Sequence, residues 1–253
     1  MKVLFGDQLE EDRMFRLLSI LNIFCVLILA YGCKKEKILD EFTYDETYQP
    51  KRWDKLSIVD YYCLLPYLRS ANGSSDCEYK KAFLKAPPKN LLDGQGAEWQ
   101  VNLLDESSGA IFLYQAGGGG GETEDKEYVM WRRKSDTDLV GVNEIYCSLA
   151  GCGSNITFLT FRDRKWYDVT KDVFPGVGEQ EIEYLKSHKY KFGSEDYSSD
   201  SHSDFKIRCS LPSIGKDIEC TLSFGAAIGI ASRENPKVIY AFRNDKFVLI
   251  KGQ

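Results

Sequence analysis

From Trp99 to the end, short strand-like segments alternate with polar turns, and this alternation constrains the fold more than any other feature of the sequence. The two clearest examples are residues 161–166 and 242–247, which both read F-R-[D/N]-x-K-[W/F]. Each pattern places an aromatic residue on either side of a polar turn, which is typical of a β-hairpin whose two rings meet across the strands. We therefore predict a mostly β fold (α+β): an antiparallel, hairpin-rich sheet or sandwich with a few short helices.

Other elements are predicted from apolar periodicity and turn residues. Strands are expected over residues 99–104, 110–115, 128–132, 139–142, 156–161, 165–169, 205–211, 218–224, 226–231, 238–242 and 246–250. Helical spacing predicts helices over residues 56–68, where Pro66 would end or kink the helix, and over residues 179–186. The polar stretch 190–204 is predicted to be a loop. The glycine run 117–121 and the acidic stretch 122–127 that follows it are together predicted to be a flexible loop. The glycine run lacks the Gly-Lys-Ser/Thr ending of a phosphate-binding loop.

Eight cysteines are present, and six of them lie in the part of the chain that we expect to fold. An even number of cysteines in an exported chain favours disulfide bonds. Zinc binding is the alternative, but zinc sites usually combine closely spaced cysteines with histidine, and no histidine neighbours Cys147 or Cys152. We predict no metal and no cofactor. The favoured disulfides are the three local pairs Cys63–Cys77, Cys147–Cys152 and Cys209–Cys220.

The amino-terminal region has the layout of an export signal. Arg13 and Arg16 precede an apolar run, residues 17–31, that is shorter than the roughly 20 residues needed to span a membrane. Because the residues before Met14 are acidic, and a signal begins with basic residues, we expect Met14 to be the true initiator.

The end of this run, residues 29–33 (LAYGC), resembles a lipobox, the site at which lipoprotein signal peptidase cleaves before a lipid-modified cysteine. The resemblance is to bacterial lipoproteins, and it implies that Cys33 carries a diacylglycerol thioether and an amide-linked acyl chain. Several acyl chains on one residue anchor a protein firmly to a membrane. A plain secretory signal and an uncleaved apolar anchor are the alternatives.

These features divide the chain into three parts. Residues 1–32 are predicted to be a signal peptide, residues 33–50 a lipid-anchored tether, and residues 51–253 a disulfide-supported, mostly β domain. Within the domain, the hairpin that runs into residues 166–170 (WYDVT) and on to Pro175 resembles a pattern in uncharacterised bacterial secreted proteins, and this resemblance implies no activity. Thr170 is expected to cap a helical turn that includes residues 171–174.

No motif of a known catalytic site is present. The two histidines, His188 and His202, lie in polar surroundings and are expected on the surface. Asp196, Asp200 and Asp204 could offer oxygen ligands, but their spacing of four does not match a calcium-binding loop. A solvated acidic loop is therefore the favoured interpretation.

Charge and aromatic content bear on the partners of the chain. The formal net charge is −5 and no long basic run is present, so we predict no nucleic-acid partner. Tryptophans could line a carbohydrate or peptide groove, although at strand spacing they more often belong to the core. The four tryptophans are Trp53, Trp99, Trp131 and Trp166.

Together these observations predict an envelope lipoprotein of a bacterium, held to a membrane by the lipid on Cys33 and exposed on the periplasmic side or the cell surface. The favoured function is a non-catalytic binding or interaction module, whose partners are the membrane, through the anchor, and an envelope or extracellular protein. The alternative is a hydrolase that cleaves envelope polymers with a pair of carboxylates.

Overall fold

An antiparallel sheet of eight strands is the largest element of the fold. The structure is a computed structural model, and it describes residues 37–38, 47–65, 76–85, 91–92, 98–118, 122–134, 137–149, 151–192, 195–198, 205–223 and 235–250. All of them belong to one compact unit, residues 37–253. The predicted signal, Cys33 and the predicted strand over residues 226–231 lie outside the described residues.

The large sheet is a meander to which one short strand from the amino-terminal side is added. Its strands are β1 (Lys37–Ile38), β2 (Leu91–Leu92), β3 (Glu98–Asp105), β4 (Ala110–Gly118), β5 (Glu122–Trp131), β6 (Leu139–Ser148), β7 (Gly151–Arg162) and β8 (Lys165–Asp168). Their spatial order is β1-β8-β7-β6-β5-β4-β3-β2, with every pair antiparallel. Lys37–Ile38, within the predicted tether, thus pairs with β8 at one edge of the sheet.

Two smaller antiparallel sheets follow along the chain. A hairpin of two strands consists of β9 (Lys189–Phe192) and β10 (Glu195–Ser198). The prediction of a loop over residues 190–204 was therefore wrong for residues 190–192 and 195–198, because the backbone pairing of the two short strands tolerates their polar side chains. The loop predicted over residues 117–127 was likewise wrong for 117–118 and 122–127, which belong to β4 and β5 and pair across the sheet despite their glycines and charges. A sheet of four strands, in sequence order, consists of β11 (Lys206–Ser210), β12 (Ile218–Ser223), β13 (Val238–Arg243) and β14 (Lys246–Ile250).

Four short helices occur in the described part of the chain: α1 (Ile58–Leu64), α2 (Cys77–Lys85), α3 (Thr170–Val173) and α4 (Glu179–Lys186). None of them is long and apolar enough to span a membrane. A capping box in which Ser57 and Asp60 exchange hydrogen bonds starts α1, which ends at Leu64, just before Pro66. The sequence predicted α1 and α4 but missed α2, because Lys80 occupies a buried position on its apolar face.

Thr170 does not cap the helical turn as predicted, since it is the first residue of α3 and Val169 holds the N-cap position. The carboxylate of Asp168 takes the capping role instead. It accepts hydrogen bonds from the backbone N–H and the hydroxyl of Thr170, at 2.9 and 2.7 Å. Thr170 Oγ1 in turn accepts a hydrogen bond from the backbone N–H of Phe158 at 2.8 Å. The W-Y-D-V-T sequence thus fixes α3 against β7.

Both faces of the large sheet are covered, which gives the fold three layers. Successive side chains of a strand point to opposite faces, so Tyr128 lies in the core with α1 and α2, whereas Val129 lies in the core with the four-stranded sheet. Trp131 is at the centre of this second core, where its ring meets Phe158 and Phe247 edge-on. The expectation of a mostly β, antiparallel fold with a few short helices is confirmed.

The two F-R-[D/N]-x-K-[W/F] patterns form tight hairpins. The central residues of both turns have positive φ angles; they are Asp163, Arg164, Asn244 and Asp245. Two consecutive residues with positive φ are typical of the type I′ turn, whose twist matches that of the paired strands. As predicted, the flanking rings meet across the strands, with centroids 5.0 Å apart for Phe161 and Trp166 and 5.1 Å apart for Phe242 and Phe247.

The structure contains the three local disulfides that the sequence favoured. Cys63–Cys77 joins α1 to α2, Cys147–Cys152 joins β6 to β7, and Cys209–Cys220 joins β11 to β12. The last two connect residues that are directly opposite in their sheets. Cys63–Cys77 closes a loop with a sequence separation of 14, and such a loop is worth about 3 kcal/mol in the chain-entropy model.

Candidate functional site

A cleft of about 590 Å³ opens where four separate segments of the chain meet. It is lined by residues 53–56 before α1, by Tyr61 on α1, by the β5–β6 connection and by the β7–β8 turn. The β13–β14 turn touches the same connection, since Asp245 Oδ1 accepts a hydrogen bond from the backbone N–H of Lys134 at 3.3 Å. We call this feature the basic cleft. Tight turns on a rigid sheet are a common place for recognition residues.

The basic cleft concentrates positive charge on a chain whose formal net charge is −5. Among the described residues of its lining, cationic side chains are twice as many as acidic ones. The cations are Lys55, Arg132, Arg133, Lys134, Arg162 and Arg164, and the acids are Asp54, Asp138 and Asp163. A concave surface lined mainly by one sign of charge focuses the field and attracts ligands of the opposite charge.

Arg132 and Tyr61 converge on Asp138 and hold one wall of the cleft in place. Tyr61 donates a hydrogen bond from its hydroxyl to Asp138 Oδ2 at 2.9 Å, and Arg132 Nη1 forms an ion pair with the same oxygen. Arg132 Nη2 also donates to the carbonyl of Leu56 at 2.6 Å. Burial and the carboxylate of Asp138 raise the pKa of Tyr61 well above its usual range, so its hydroxyl stays protonated as a donor. These groups have a structural role in shaping the cleft.

Arg133 is half-buried, and its guanidinium is only partly engaged. Its Nε donates to the carbonyl of Thr137 at 2.8 Å, and its Nη2 donates to Thr137 Oγ1 at 2.6 Å. Among the described residues, none accepts a hydrogen bond from Nη1. Burial lowers the pKa of Arg133, while Asp245 and Asp138 act in the opposite direction. A guanidinium that has lost part of its hydration gains from contact with an anion.

Two further cations of the cleft are exposed lysines. Lys55 precedes α1 and Lys134 follows β5. Neither ammonium group forms an ion pair with any residue in the described ranges. Together with Arg133, they give the cleft hydrogen-bond donors that the fold itself does not use.

Trp53 is the tryptophan that lies in the cleft, where 41% of its surface is exposed. Its ring stacks on that of Phe161 with an interplanar angle of 16°, and the guanidinium of Arg164 lies 5.3 Å from its centroid. These contacts keep the indole in a fixed orientation beside the cations. Trp99, Trp131 and Trp166 are instead buried. Three of the four tryptophans therefore belong to the core, and Trp53 lines the basic cleft.

The other candidate residues from the sequence are not brought together into a site. His188 is exposed at the end of α4, as predicted, and contacts Tyr184 and Ser187. No group of three or more histidine, cysteine or acidic residues in the described ranges could hold a metal ion. His202, Asp200 and Asp204 lie outside those ranges, as does Cys33, the residue predicted to carry the lipid. All six other candidate cysteines form disulfides.

One pair of carboxylates, Asp125 and Glu127 on β5, has perturbed ionisation. Burial raises the pKa of Asp125, and it raises the pKa of Glu127 to about 7. Glu127 Oε2 accepts hydrogen bonds from Asn143 Nδ2 at 2.8 Å and from the backbone N–H of Leu211 at 2.7 Å. The carboxylate of Glu127 is therefore enclosed by β6 and by the segment after β11. Neither carboxylate lines the basic cleft, so the pair is not presented to a substrate there.

The sequence did not reveal the basic cleft. Its cations come from three segments that are 28 or more residues apart in sequence, and none of these segments contains a long basic run. The one available signal was the pair of aromatic hairpin patterns, since the first of them supplies Phe161, Arg162 and Arg164 to the cleft.

The fold and the cleft define a class of protein: a disulfide-linked scaffold of two main antiparallel sheets with a basic, aromatic cleft at one end. No protein-family model matches the sequence. No curated protein matches it either. Among solved structures, a domain of an uncharacterized protein from Porphyromonas gingivalis W83 is similar, with 10% sequence identity and a TM-score of 0.48. The similarity covers 77% of this chain and 98% of that one.

Proposed function

We propose that this protein is a lipid-anchored, non-catalytic binding module of a bacterial envelope, and that it recognises an anionic ligand in the basic cleft. The single observation that carries the binding function is the cleft itself, where Arg133, Lys55 and Lys134 offer donors that no described residue uses. The partner is an envelope or extracellular molecule, and nucleic acid is not the expected ligand.

Two features of the chain support a location in the bacterial envelope. The three disulfides are typical of proteins that fold in an oxidising, extracytoplasmic compartment. The LAYGC sequence at residues 29–33 provides the lipobox-like signal that would direct export and lipid attachment at Cys33. A tether of residues 33–50 would then connect the lipid to the domain.

Lipid attachment is tested by radiolabelled palmitate incorporation into the full chain, compared with Cys33→Ser. We expect label in the native chain only, and a heavier, uncleaved precursor when lipoprotein signal peptidase is inhibited. Cys25→Ser is the matched control, because this cysteine lies inside the apolar run and should not change labelling. Equal labelling of native chain and Cys33→Ser, or no labelling of either, would contradict the proposed anchor.

A hydrolase of envelope polymers is the second candidate function, and the Asp125–Glu127 pair is the observation that bears on it. Catalysis by two carboxylates requires both to reach the scissile bond, and Glu127 is covered by the segment after β11. This pair therefore gives no support to hydrolysis, and binding stays the preferred proposal. Release of reducing ends from peptidoglycan by the native chain, and its loss in Glu127→Gln, would reverse this preference.

A further inference from the structure

We propose that the ligand of the basic cleft is an acidic glycan, a saccharide whose rings carry carboxylate or phosphate groups. This inference rests on the proposed function, because it names the chemical class of ligand for the same site. It is carried by three properties that the described residues give the cleft: unused cationic donors, one exposed aromatic side chain, and large apolar side chains that are otherwise buried.

The donors define the charged part of the ligand. Arg133 Nη1, Lys55 and Lys134 are supplied from two sides of one cleft, so a ligand with anionic groups at more than one position can contact them together. Charge-assisted hydrogen bonds to carboxylate or phosphate oxygens are the strongest polar contacts that such side chains make. A neutral ligand would leave these cations without partners.

The exposed aromatic residue of the cleft, Trp53, defines the uncharged part of the ligand. A ligand seated among the cations also meets Trp53, which is 41% exposed and is held by its contact with Phe161. An indole offers an apolar surface to the C–H groups of a sugar ring and an N–H edge that can donate to a hydroxyl. A saccharide with acidic substituents combines both requirements in one molecule.

The same lining is a poor match for an acidic peptide. Peptides usually bind by inserting apolar anchors into pockets or by adding a strand to a free sheet edge. The other large apolar residues of the cleft, Leu56 and Phe161, are themselves buried, with 4% and 8% of their surface exposed. The volume of about 590 Å³ lies in the range of small-molecule sites, which suits a short stretch of a glycan.

The test measures binding to the full chain, purified in a non-ionic detergent, by isothermal titration calorimetry. The acidic probes are trigalacturonic acid, which carries carboxylates, and a trisaccharide of mannose 6-phosphate; the neutral probe is galactotriose. Hexaglutamate and a six-nucleotide oligothymidylate represent an acidic peptide and a single-stranded nucleic acid. We expect at least one acidic trisaccharide to bind, and the neutral one to show no measurable affinity.

A charge-removing variant assigns the binding to the cleft. Lys55→Gln combined with Lys134→Gln should weaken binding of the acidic trisaccharide by about tenfold per lysine, since each lysine contributes one charge-assisted contact. The control is Lys171→Gln combined with Lys216→Gln, which removes the same charge from exposed positions outside the cleft. This control should bind as the native chain does.

The outcomes separate the glycan inference from the proposed function. Binding of hexaglutamate but of neither acidic trisaccharide would overturn the glycan inference and leave an anion-binding cleft in place. Equal binding of the oligonucleotide, or equal loss in the two double variants, would overturn the inference by showing non-specific attraction of anions. If none of the acidic probes binds, both the inference and the proposed anion-binding function are wrong.

Discussion

Replacing Lys80 with methionine is expected to lower the free energy of unfolding by about 3 kcal/mol or more. Lys80 has none of its surface exposed, and its ammonium donates to the carbonyls of Tyr62, Cys63 and Leu65 at 3.2, 3.1 and 2.6 Å. These carbonyls belong to the last turn of α1 and its cap, where a helix lacks internal donors. Methionine fills the space but removes the ammonium donor from three buried carbonyls.

The effect is measured by thermal and urea denaturation of the full chain under oxidising conditions, with the disulfides intact. For a domain of this size, 1 kcal/mol corresponds to a shift of about 2–4 °C in the midpoint, so a decrease of about 6–12 °C is expected. Lys85→Met is the matched control, because Lys85 is exposed in the last turn of the same helix. A midpoint for Lys80→Met equal to that of this control would show that the buried ammonium does not support α1.

The stability of the fold is expected to decrease as the pH rises from about 4.5 to about 7, because of Glu127. Burial raises the pKa of this carboxyl from 4.5 to about 7, so the folded state binds a proton more tightly than the unfolded state over this interval. A raised pKa stabilises the folded state below the unfolded value, and this contribution is lost as the carboxyl ionises. A shift of this size corresponds to at most about 3 kcal/mol.

Glu127→Gln isolates this contribution, since glutamine keeps an oxygen that can accept from Asn143 and Leu211 but does not ionise. We expect the variant to be close to the native chain at pH 4.5 and more stable than it at pH 8, by up to about 3 kcal/mol. The matched control is Glu219→Gln, on the exposed pair with Lys237, which should follow the native pH dependence. The hypothesis fails if the difference between Glu127→Gln and the native chain does not change with pH.

Local patterns were sufficient to predict the hairpins, because turn geometry and cross-strand ring contacts depend on residues that are adjacent in sequence. The segments 161–166 and 242–247 illustrate this, since their turns and their ring pairs both form as expected. The three disulfides could also be predicted from local sequence, because each joins cysteines with a sequence separation of 14 or less.

Features that depend on tertiary contacts could not be predicted in this way. The apolar stripe of α2 is interrupted by Lys80, whose burial becomes favourable only when the end of α1 supplies three carbonyls. The position of Trp53 in the basic cleft could not be predicted either. Trp53 precedes α1, and no sequence periodicity there indicates whether its side chain is buried or lines a cleft. The basic cleft is likewise an arrangement in space of cations that are far apart along the chain.

The most direct test of the basic cleft as a recognition surface is site-specific photo-crosslinking of the full chain in intact cells. A photoreactive phenylalanine derivative is placed at Trp53 or, as the control, at Tyr79; both side chains are 41% exposed, but Tyr79 does not line the cleft. We expect a discrete crosslinked product from position 53 that is absent from position 79 and is lost when Lys55→Gln and Lys134→Gln are added. Equal crosslinking from both positions, or none from position 53, would contradict recognition at the cleft.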